Sequence, residues 1–350
     1  MLLHCERNVN ALSPAGRSAV QDEMTTTQAE PPVIAAPRPA ELPAPRKSER
    51  ETHPVAAIIL YLLAVFIGAA LAAPRFLASA QFLAENYPGW RRLAEFPFHR
   101  YINRSLLLFA LVGLPIFVKA LGIPSFRALG LVLRRRTGAE WAQGLAWGSV
   151  ALAFASALVI ASGARTLNLD HNGAEILRNL RTAFLGALIV SVMEELLFRG
   201  ALFSALRRRY AYWPAALWSC AFFAMLHFFQ RPTSPRSIEW YSGFVTLGQM
   251  FHGFTDIQAM LPGFLNLLLT GLVLTLARER TGSLLFSMGL HAGVIFWGKT
   301  LGFATRSAEI PNAWIWGTGK LIDGWGTGVM LLALYLALRA VLPPRPASDA

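Results

Sequence analysis

The sequence predicts an all-α fold, a polytopic membrane helix bundle of about eight transmembrane helices around an intramembrane polar cavity. The 350-residue chain is 54% hydrophobic and only 15% charged, whereas a soluble domain carries about 25% charged residues. Apolar runs close to the about 20 residues that cross a bilayer recur along the chain. A few ionisable residues interrupt these runs, and such residues at membrane depth are usually functional.

Residues 1–53 differ in composition from the rest of the chain. They are polar, rich in Pro and Ala, and mixed in charge. Such a segment cannot bury enough apolar surface to fold, so we expect a disordered tail at 1–53 and a helical membrane domain at 54–343. The tail has no apolar core like that of a cleavable signal peptide, and the first spanning helix should therefore target the chain to the membrane.

Eight apolar runs are candidate spans. The segment 75–100, between the first two runs, is rich in Arg and aromatic residues and suits an interfacial position. The connections 230–260 and 302–325 contain Pro, Gly and Trp and are open to interpretation as gates, interfacial helices or loops. The candidate spans lie at 54–73, 102–122, 141–162, 183–206, 212–229, 261–278, 283–301 and 326–342.

The net charge of +12 comes largely from short basic clusters between apolar runs, such as Arg134–Arg136 and Arg207–Arg209. Cytoplasmic loops carry such clusters, so we expect no nucleic-acid partner. With a cytoplasmic N-terminus, both clusters fall on the inner side, although 75–100 on the other side also holds arginines. The sequence therefore predicts a multi-pass integral protein of a bacterial inner membrane, with the lipid bilayer as a partner.

The stretch SVMEELLFRG, residues 191–200, places Glu194, Glu195 and Arg199 inside an apolar run. Glu195 and Arg199 are spaced i,i+4 with the acid first, which is the favourable order for a helical ion pair. Glu194 lies about 100° away around an α-helix and is out of register with Arg199. We therefore expect a self-neutralising pair and one free carboxylate.

Three further polar residues, His227, Asn266 and His291, interrupt other spans. Measured from the nearest Arg clusters, these three residues and Glu194 lie at similar depths, roughly 16–21 Å at about 1.5 Å per residue. That depth is close to the middle of a hydrocarbon core about 30 Å thick. Taken singly, an ion pair can be a structural clasp, and a His or Asn can join two helices by a hydrogen bond. Four helices with polar groups at one depth favour a site.

Three segments resemble the CPBP family, which comprises CAAX prenyl endopeptidases and bacteriocin-processing (Abi) intramembrane proteases. Glu194-Glu195-x-x-x-Arg199 is similar to the family's EExxxR motif, Phe223-x-x-x-His227 to its FxxxH motif, and the stretch ending at His291 to the approach to its third motif. ALGLVLRRR at 128–136 is also typical. The resemblance covers about 125–300, and the first two motifs in order, one helix apart, are the specific part.

The resemblance implies an eight-helix bundle that hydrolyses a peptide bond in a membrane-associated or lipidated protein. It therefore also implies a membrane-anchored protein or peptide substrate as a partner. It implies that Glu194 activates a water with help from His227, that Glu195 and Arg199 fix the geometry, and that His291 stabilises the oxyanion. The family's third motif usually continues to Asn or Asp, but this chain has Ile295. Our hypothesis is that Asn266 supplies the missing polar group.

The sequence leaves the cofactor open. Glu194, His227 and His291 form a plausible zinc set with water as the fourth ligand. The same three residues suit a glutamate mechanism without a metal, which we slightly favour. Two other functions also stay open: a non-catalytic immunity or scaffold protein, which Ile295 supports, and a proton-coupled transporter, which the lack of visible internal repeats argues against.

Overall fold

A computed structural model describes residues 53–344, apart from 126, 133–136, 231–232, 234, 236, 309–312 and 318–320. Two predictions fall outside the described residues: the disordered tail, except for His53, and the Arg134–Arg136 cluster. In chain order the α-helices are α1 (Pro54–Asn86), α2 (Arg91–Ala94), α3 (Phe98–Ala120), α4 (Thr137–Ala161), α5 (Gly173–Glu194), α6 (Ser204–Arg207), α7 (Tyr212–Leu226), α8 (Ser242–Met250), α9 (Ile257–Thr281), α10 (Leu284–Ala304), α11 (Ala313–Trp316) and α12 (Trp325–Val341).

Other regular segments are short. A π-helix, Glu195–Phe203, joins α5 to α6 without a break, and three 3₁₀ turns lie at Pro88–Trp90, Phe251–Phe254 and Leu321–Asp323. Strand β1 (Arg165–Leu167) pairs antiparallel with β2 (Thr305–Ser307), so that Arg165 faces Ser307 and Leu167 faces Thr305. This ribbon links the loop after α4 to the end of α10.

The structure confirms the helical membrane fold, because each of the eight predicted runs coincides with a helix. Five helices are long and apolar enough to cross a membrane: Pro54–Asn86, Phe98–Ala120, Thr137–Ala161, Met260–Thr281 and Leu284–Ala304. Helices α7 and α12 are apolar but shorter. The remaining predicted run corresponds to α5, the π-helix and α6. It carries the buried charges. The chain is an integral membrane protein.

The first helix is longer than predicted. It continues through Pro74 to Asn86, so most of the expected interfacial segment 75–100 is helix. A proline removes one helical hydrogen bond, and membrane helices tolerate this where other groups satisfy the backbone. Beside Pro74, Arg75 donates from Nη1 to the Leu71 carbonyl oxygen at 2.6 Å. The connection 230–260 also contains regular structure, namely α8 and a 3₁₀ turn.

Helices α4 and α10 touch backbone to backbone through four glycines. A Cβ atom at Gly144 would overlap the Phe286 carbonyl oxygen, and one at Gly289 would overlap that of Trp141. Gly148 and Gly293 meet Leu290 and Leu145 in the same way. Each helix thus presents a GxxxG pattern, the arrangement that lets membrane helices approach closely. We call these four residues the glycine seam.

The glycine seam predicts a local intolerance to side chains. Gly289→Ala inserts a methyl group against the α4 backbone, which cannot rotate away, so we expect a loss of about 1–3 kcal/mol, typical of overpacking. Thermal unfolding of the purified protein in detergent measures this loss. Gly302→Ala is the matched control in the same helix, because its Cβ would meet nothing within 4 Å. Equal midpoints for the two variants would contradict the close contact.

Candidate functional site

Four helices bring the charged and imidazole side chains together. Glu194 is the last residue of α5, and Glu195 and Arg199 lie in the π-helix. His227 directly follows α7, and His291 lies in α10 between Gly289 and Gly293 of the glycine seam. π-Helical turns are rare and frequently occur at functional sites. The five side chains form one cluster, which we call the Glu–His cluster.

The innermost part of the cluster is an ion pair that is sealed from the surroundings. Arg199 Nη1 donates to Glu195 Oε1 at 3.0 Å, and both side chains have 0% exposure. Arg199 Nη2 also donates to the Gly271 carbonyl oxygen of α9 at 3.3 Å. The guanidinium carbon lies 4.4 Å from the centre of the Phe223 ring on α7. One side chain therefore joins the π-helix to α7 and α9.

His291 lies between the two carboxylates. Its Nδ1 is 3.1 Å from Glu195 Oε1, the same oxygen that accepts from Arg199. Its Nε2 is 3.7 Å from Glu194 Oε2, and the ring is almost completely buried. Glu195 therefore orients the imidazole through Nδ1 and leaves Nε2 directed at Glu194. The sequence pattern predicted the Glu195–Arg199 pair but not this third partner.

His227 approaches Glu194 from the opposite helix. Its Nδ1 lies 2.8 Å from the Phe223 carbonyl oxygen, so Nδ1 carries the proton and Nε2 bears the lone pair,. Nε2 is 4.0 Å from Glu194 Oε2. This separation is too long for a direct hydrogen bond and is suited to one bridging water.

Exposure separates the cluster into an inner and an outer part. Glu195 and Arg199 are fully buried, whereas the Glu194 and His227 side chains are 26% and 32% exposed. His227 lines a cavity of about 830 Å³, together with Gln230, Asp256 and Asp323 among others. His227 is thus accessible from this cavity, whereas Glu194 is partly exposed with its Oε2 buried. The inner pair lies behind both.

The outer groups could also hold a metal. The Nδ1 atoms of both histidines are engaged, so both Nε2 atoms face Glu194 Oε2, and this donor set suits zinc. Among residues 53–344 that are described, no group of three or more His, Cys, Asp or Glu side chains reaches metal-site geometry. The residue types fit a zinc ion, and the side-chain positions are looser than a formed site.

Asn266 lies apart from the Glu–His cluster. It is buried in α9, and its Nδ2 donates to the carbonyl oxygens of Ile322 at 2.7 Å and Gly324 at 2.8 Å. Both amide hydrogens therefore hold the turn before α12. In the described part of the chain, no hydrogen bond joins Asn266 to Glu194, His227 or His291. Ile295 lies one turn beyond His291 on α10 and is partly buried.

The sequence analysis did not identify the residues that position the Glu–His cluster. The glycine seam had a readable signal, since Gly144-x-x-x-Gly148 and Gly289-x-x-x-Gly293 both match the GxxxG pattern of close helix contacts. Phe223 was noted only as part of a motif, yet its ring and its carbonyl contact Arg199 and His227. Gly271 contributes its backbone carbonyl oxygen, and the identity of the residue gives no indication of this contact.

Comparison with known proteins gives one match. Residues 177–297 match the family model described as Type II CAAX prenyl endopeptidase Rce1-like. This confirms the resemblance inferred from the motifs and indicates a protease. A search of curated proteins and a search of solved structures each found no match. The matched segment runs from α5 into α10 and contains Glu194, Glu195, Arg199, His227, Asn266 and His291.

The buried ion pair predicts a non-additive pair of substitutions. Arg199→Gln leaves the Glu195 carboxylate buried without its partner, and we expect a loss of about 3–5 kcal/mol. Glu195→Gln together with Arg199→Gln removes both charges and should cost less than the sum of the two single changes. Thermal unfolding in detergent measures all three variants. Strict additivity would contradict the pairing.

Arg306→Gln is the control for this cycle. Arg306 pairs with Asp170 at 2.5 Å, but both side chains are more than half exposed. An exposed pair contributes about 0–1 kcal/mol, so this variant should stay close to the parent protein.

Proposed function

We propose that this CAAX-protease-like chain is an intramembrane endopeptidase that hydrolyses a peptide bond in a membrane-associated, lipid-modified protein. One observation carries the proposal: Glu194 is partly exposed, and its buried Oε2, which has no hydrogen-bond partner in the described part of the chain, lies 3.7 and 4.0 Å from the Nε2 atoms of two histidines. A carboxylate beside two oriented imidazoles is an arrangement for general acid–base chemistry. The match to the Type II CAAX prenyl endopeptidase Rce1-like family model supports a prenylated protein as the substrate class.

In the proposed reaction a water molecule bridges Glu194 Oε2 and His227 Nε2. Glu194 takes one proton from this water, and the hydroxide oxygen forms a bond to the peptide carbonyl carbon. The carbonyl π electrons move to its oxygen and give a tetrahedral oxyanion. When the C–N bond breaks, Glu194 returns the proton to the leaving nitrogen. The products are a carboxylic acid and an amine, so that one water is consumed for each peptide bond.

His291 is the proposed oxyanion donor. When both of its nitrogens carry protons, Nδ1–H is donated to Glu195 and Nε2–H is available to the oxyanion. Glu195 holds the ring through Nδ1, and Arg199 keeps Glu195 in place. A donor that is oriented before the reaction stabilises developing charge most effectively. Asn266 is proposed to act elsewhere, because its amide hydrogens hold Ile322 and Gly324.

We also propose an orientation of the helices in the membrane. Helices α6, α9 and α12 end at Arg207, Thr281 and Val341, and Arg207–Arg209, Arg278 and Arg280 follow or lie close to these ends. The positive-inside rule would place these ends in the cytoplasm of a bacterial inner membrane. The N-terminus of α1 would then face the same side.

Glu194→Gln is the decisive substitution. Removing the general base should lower the cleavage rate by roughly 10²–10⁴-fold, with little change in the unfolding midpoint, because Glu194 is not part of the buried ion pair. Mass spectrometry of a prenylated peptide incubated with the protein in liposomes measures the rate. Glu85→Gln, an exposed carboxylate near the end of α1, is the matched control.

Persistent cleavage by Glu194→Gln would reject the mechanism. Binding without cleavage by the parent protein would favour the non-catalytic alternative. Proton-dependent solute uptake into the same liposomes that Glu194→Gln abolishes would favour the transporter.

We propose the metal-free mechanism, and zinc analysis tests it. We expect the purified active protein to contain far less than one zinc per chain by elemental mass spectrometry, and to keep its activity in a chelator. If zinc were the cofactor, Glu194, His227 and His291 would hold it, and it would supply an activated water and a Lewis acid. One zinc per chain that is lost in His227→Ala would overturn the metal-free proposal, independently of any activity measurement.

A further inference from the structure

A second polar cavity, separate from the Glu–His cluster, opens at one end of the bundle. Its volume is about 840 Å³, and its lining includes residues after α3 and α12 as well as the ends of α6 and α9. Four arginines and one carboxylate line it: Arg207, Arg208, Arg278, Arg280 and Glu279. We call it the arginine cavity. Nothing in the proposed hydrolysis uses it.

The arginine cavity carries excess positive charge. Four guanidinium groups and one carboxylate give a formal charge of 4 − 1 = +3. Glu279 Oε1 accepts from Arg207 Nη2 at 3.0 Å and from Arg207 Nε at 3.2 Å, so this carboxylate is already engaged with one arginine. Arg208 and Arg280 donate to backbone carbonyl oxygens rather than to carboxylates in the described part of the chain. An anion of matching geometry would meet these positive groups.

Two of these arginines cap the C-terminal ends of helices. Arg208 donates to the carbonyl oxygens of Leu121 and Gly122 after α3, and Arg280 donates to that of Leu342 after α12 at 2.8 Å. Helix C-termini carry partial negative charge, about half an elementary charge each. Capping alone is thus the competing explanation for these arginines.

The capping bonds do not use all the N–H donors of Arg208 and Arg280. A guanidinium has five N–H donors, whereas in the described part of the chain these capping bonds use two nitrogens of Arg208 and one of Arg280. The two capping bonds of Arg208 also fix the plane of its guanidinium. Arg278 is buried, and its guanidinium packs against Gly130, where a Cβ would not fit. The cavity wall is therefore preorganised, with N–H groups left to bind a ligand.

The position of the cavity identifies the ligand. The helices that end here include the membrane spans α3 and α9, so the cavity lies at the level of lipid headgroups. Phe203 and Ile123 line it on the side of the core. Basic pockets between spanning helices bind phosphate headgroups, and the arginine fork matches phosphate oxygens. We propose that the arginine cavity binds the phosphate headgroup of an anionic membrane lipid.

The cavity adjoins the helices that hold the buried ion pair. Phe203 ends the π-helix that contains Arg199, and Ser204 Oγ donates to the Arg199 carbonyl oxygen at 3.2 Å. Helix α9 offers its Gly271 oxygen to Arg199 and its last turn to the cavity. A bound headgroup would tie these two helix ends together and stabilise the fold.

Lipid binding to the full chain in neutral detergent tests the proposal. The probes are short-chain phosphatidylglycerol, phosphatidylcholine with the same chains, and inorganic phosphate. We expect phosphatidylglycerol to raise the unfolding midpoint and to remain bound in native mass spectrometry, and phosphatidylcholine to do neither. An equal response to both lipids would overturn the proposal, and a full response to inorganic phosphate alone would overturn a lipid as the source.

Charge variants separate binding from capping. Arg280→Gln should weaken phosphatidylglycerol binding by about fivefold, as expected for one basic group near a membrane surface. Glu279→Gln raises the charge of the cavity and should tighten binding. Arg92→Gln, an exposed arginine on α2 outside the cavity, should leave affinity unchanged. If the arginines act only as caps, Arg280→Gln would lower the midpoint equally with and without lipid, and Glu279→Gln would not tighten binding. Glu279→Gln alone decides the matter if Arg280→Gln does not fold.

Discussion

One buried ion pair, Glu195 with Arg199, determines the arrangement of the site. A charged group inside a membrane is costly unless an opposite charge and hydrogen bonds compensate it. Arg199 meets this requirement with Glu195, the Gly271 oxygen and the Phe223 ring, and Glu195 adds His291. These partners come from the π-helix, α9, α7 and α10. Compensating one charge pair therefore holds four helices at a common depth.

The glycine seam supplies the second constraint on His291. Membrane helices gain little from the hydrophobic effect when they associate, so close packing of small residues contributes much of their attraction. Gly289 and Gly293 hold α10 against the backbone of α4 on one side, while Glu195 holds the imidazole on the other. His291 thus has its backbone and its Nδ1 both fixed, which leaves Nε2 at a defined position beside Glu194.

Burial divides the Glu–His cluster into an inner pair and two outer groups. Glu195 and Arg199 have no exposed surface, so their mutual attraction is not weakened by solvent. Glu194 and His227 remain partly exposed and can meet a water and a substrate. The chain places adjacent glutamates in these two environments at the junction between α5 and the π-helix. Two identical side chains can then take different roles, one structural and one chemical.

The sequence by itself predicted the approximate positions of the main helices, because about 20 apolar residues are needed to cross a bilayer. It predicted about eight spans, and five helices are long and apolar enough to cross a membrane. It also indicated the Glu195–Arg199 pair, because an i,i+4 contact lies within one helix, and its motifs indicated the resemblance to the CPBP family. It could not decide which side chains meet across helices. In nearly uniform apolar spans, the rotation and register of each helix leave little periodic signal.

The tertiary structure therefore decided three features that sequence reasoning left open or expected differently. Asn266 matched the depth of the Glu–His cluster, yet α9 is rotated so that its amide holds Ile322 and Gly324. His291 was expected to stabilise the oxyanion, and its contact with Glu195 was not foreseen. The π-helix and the Gly271 carbonyl contact depend on backbone geometry. Depth follows from counting residues along one helix, whereas contact depends on how several helices pack.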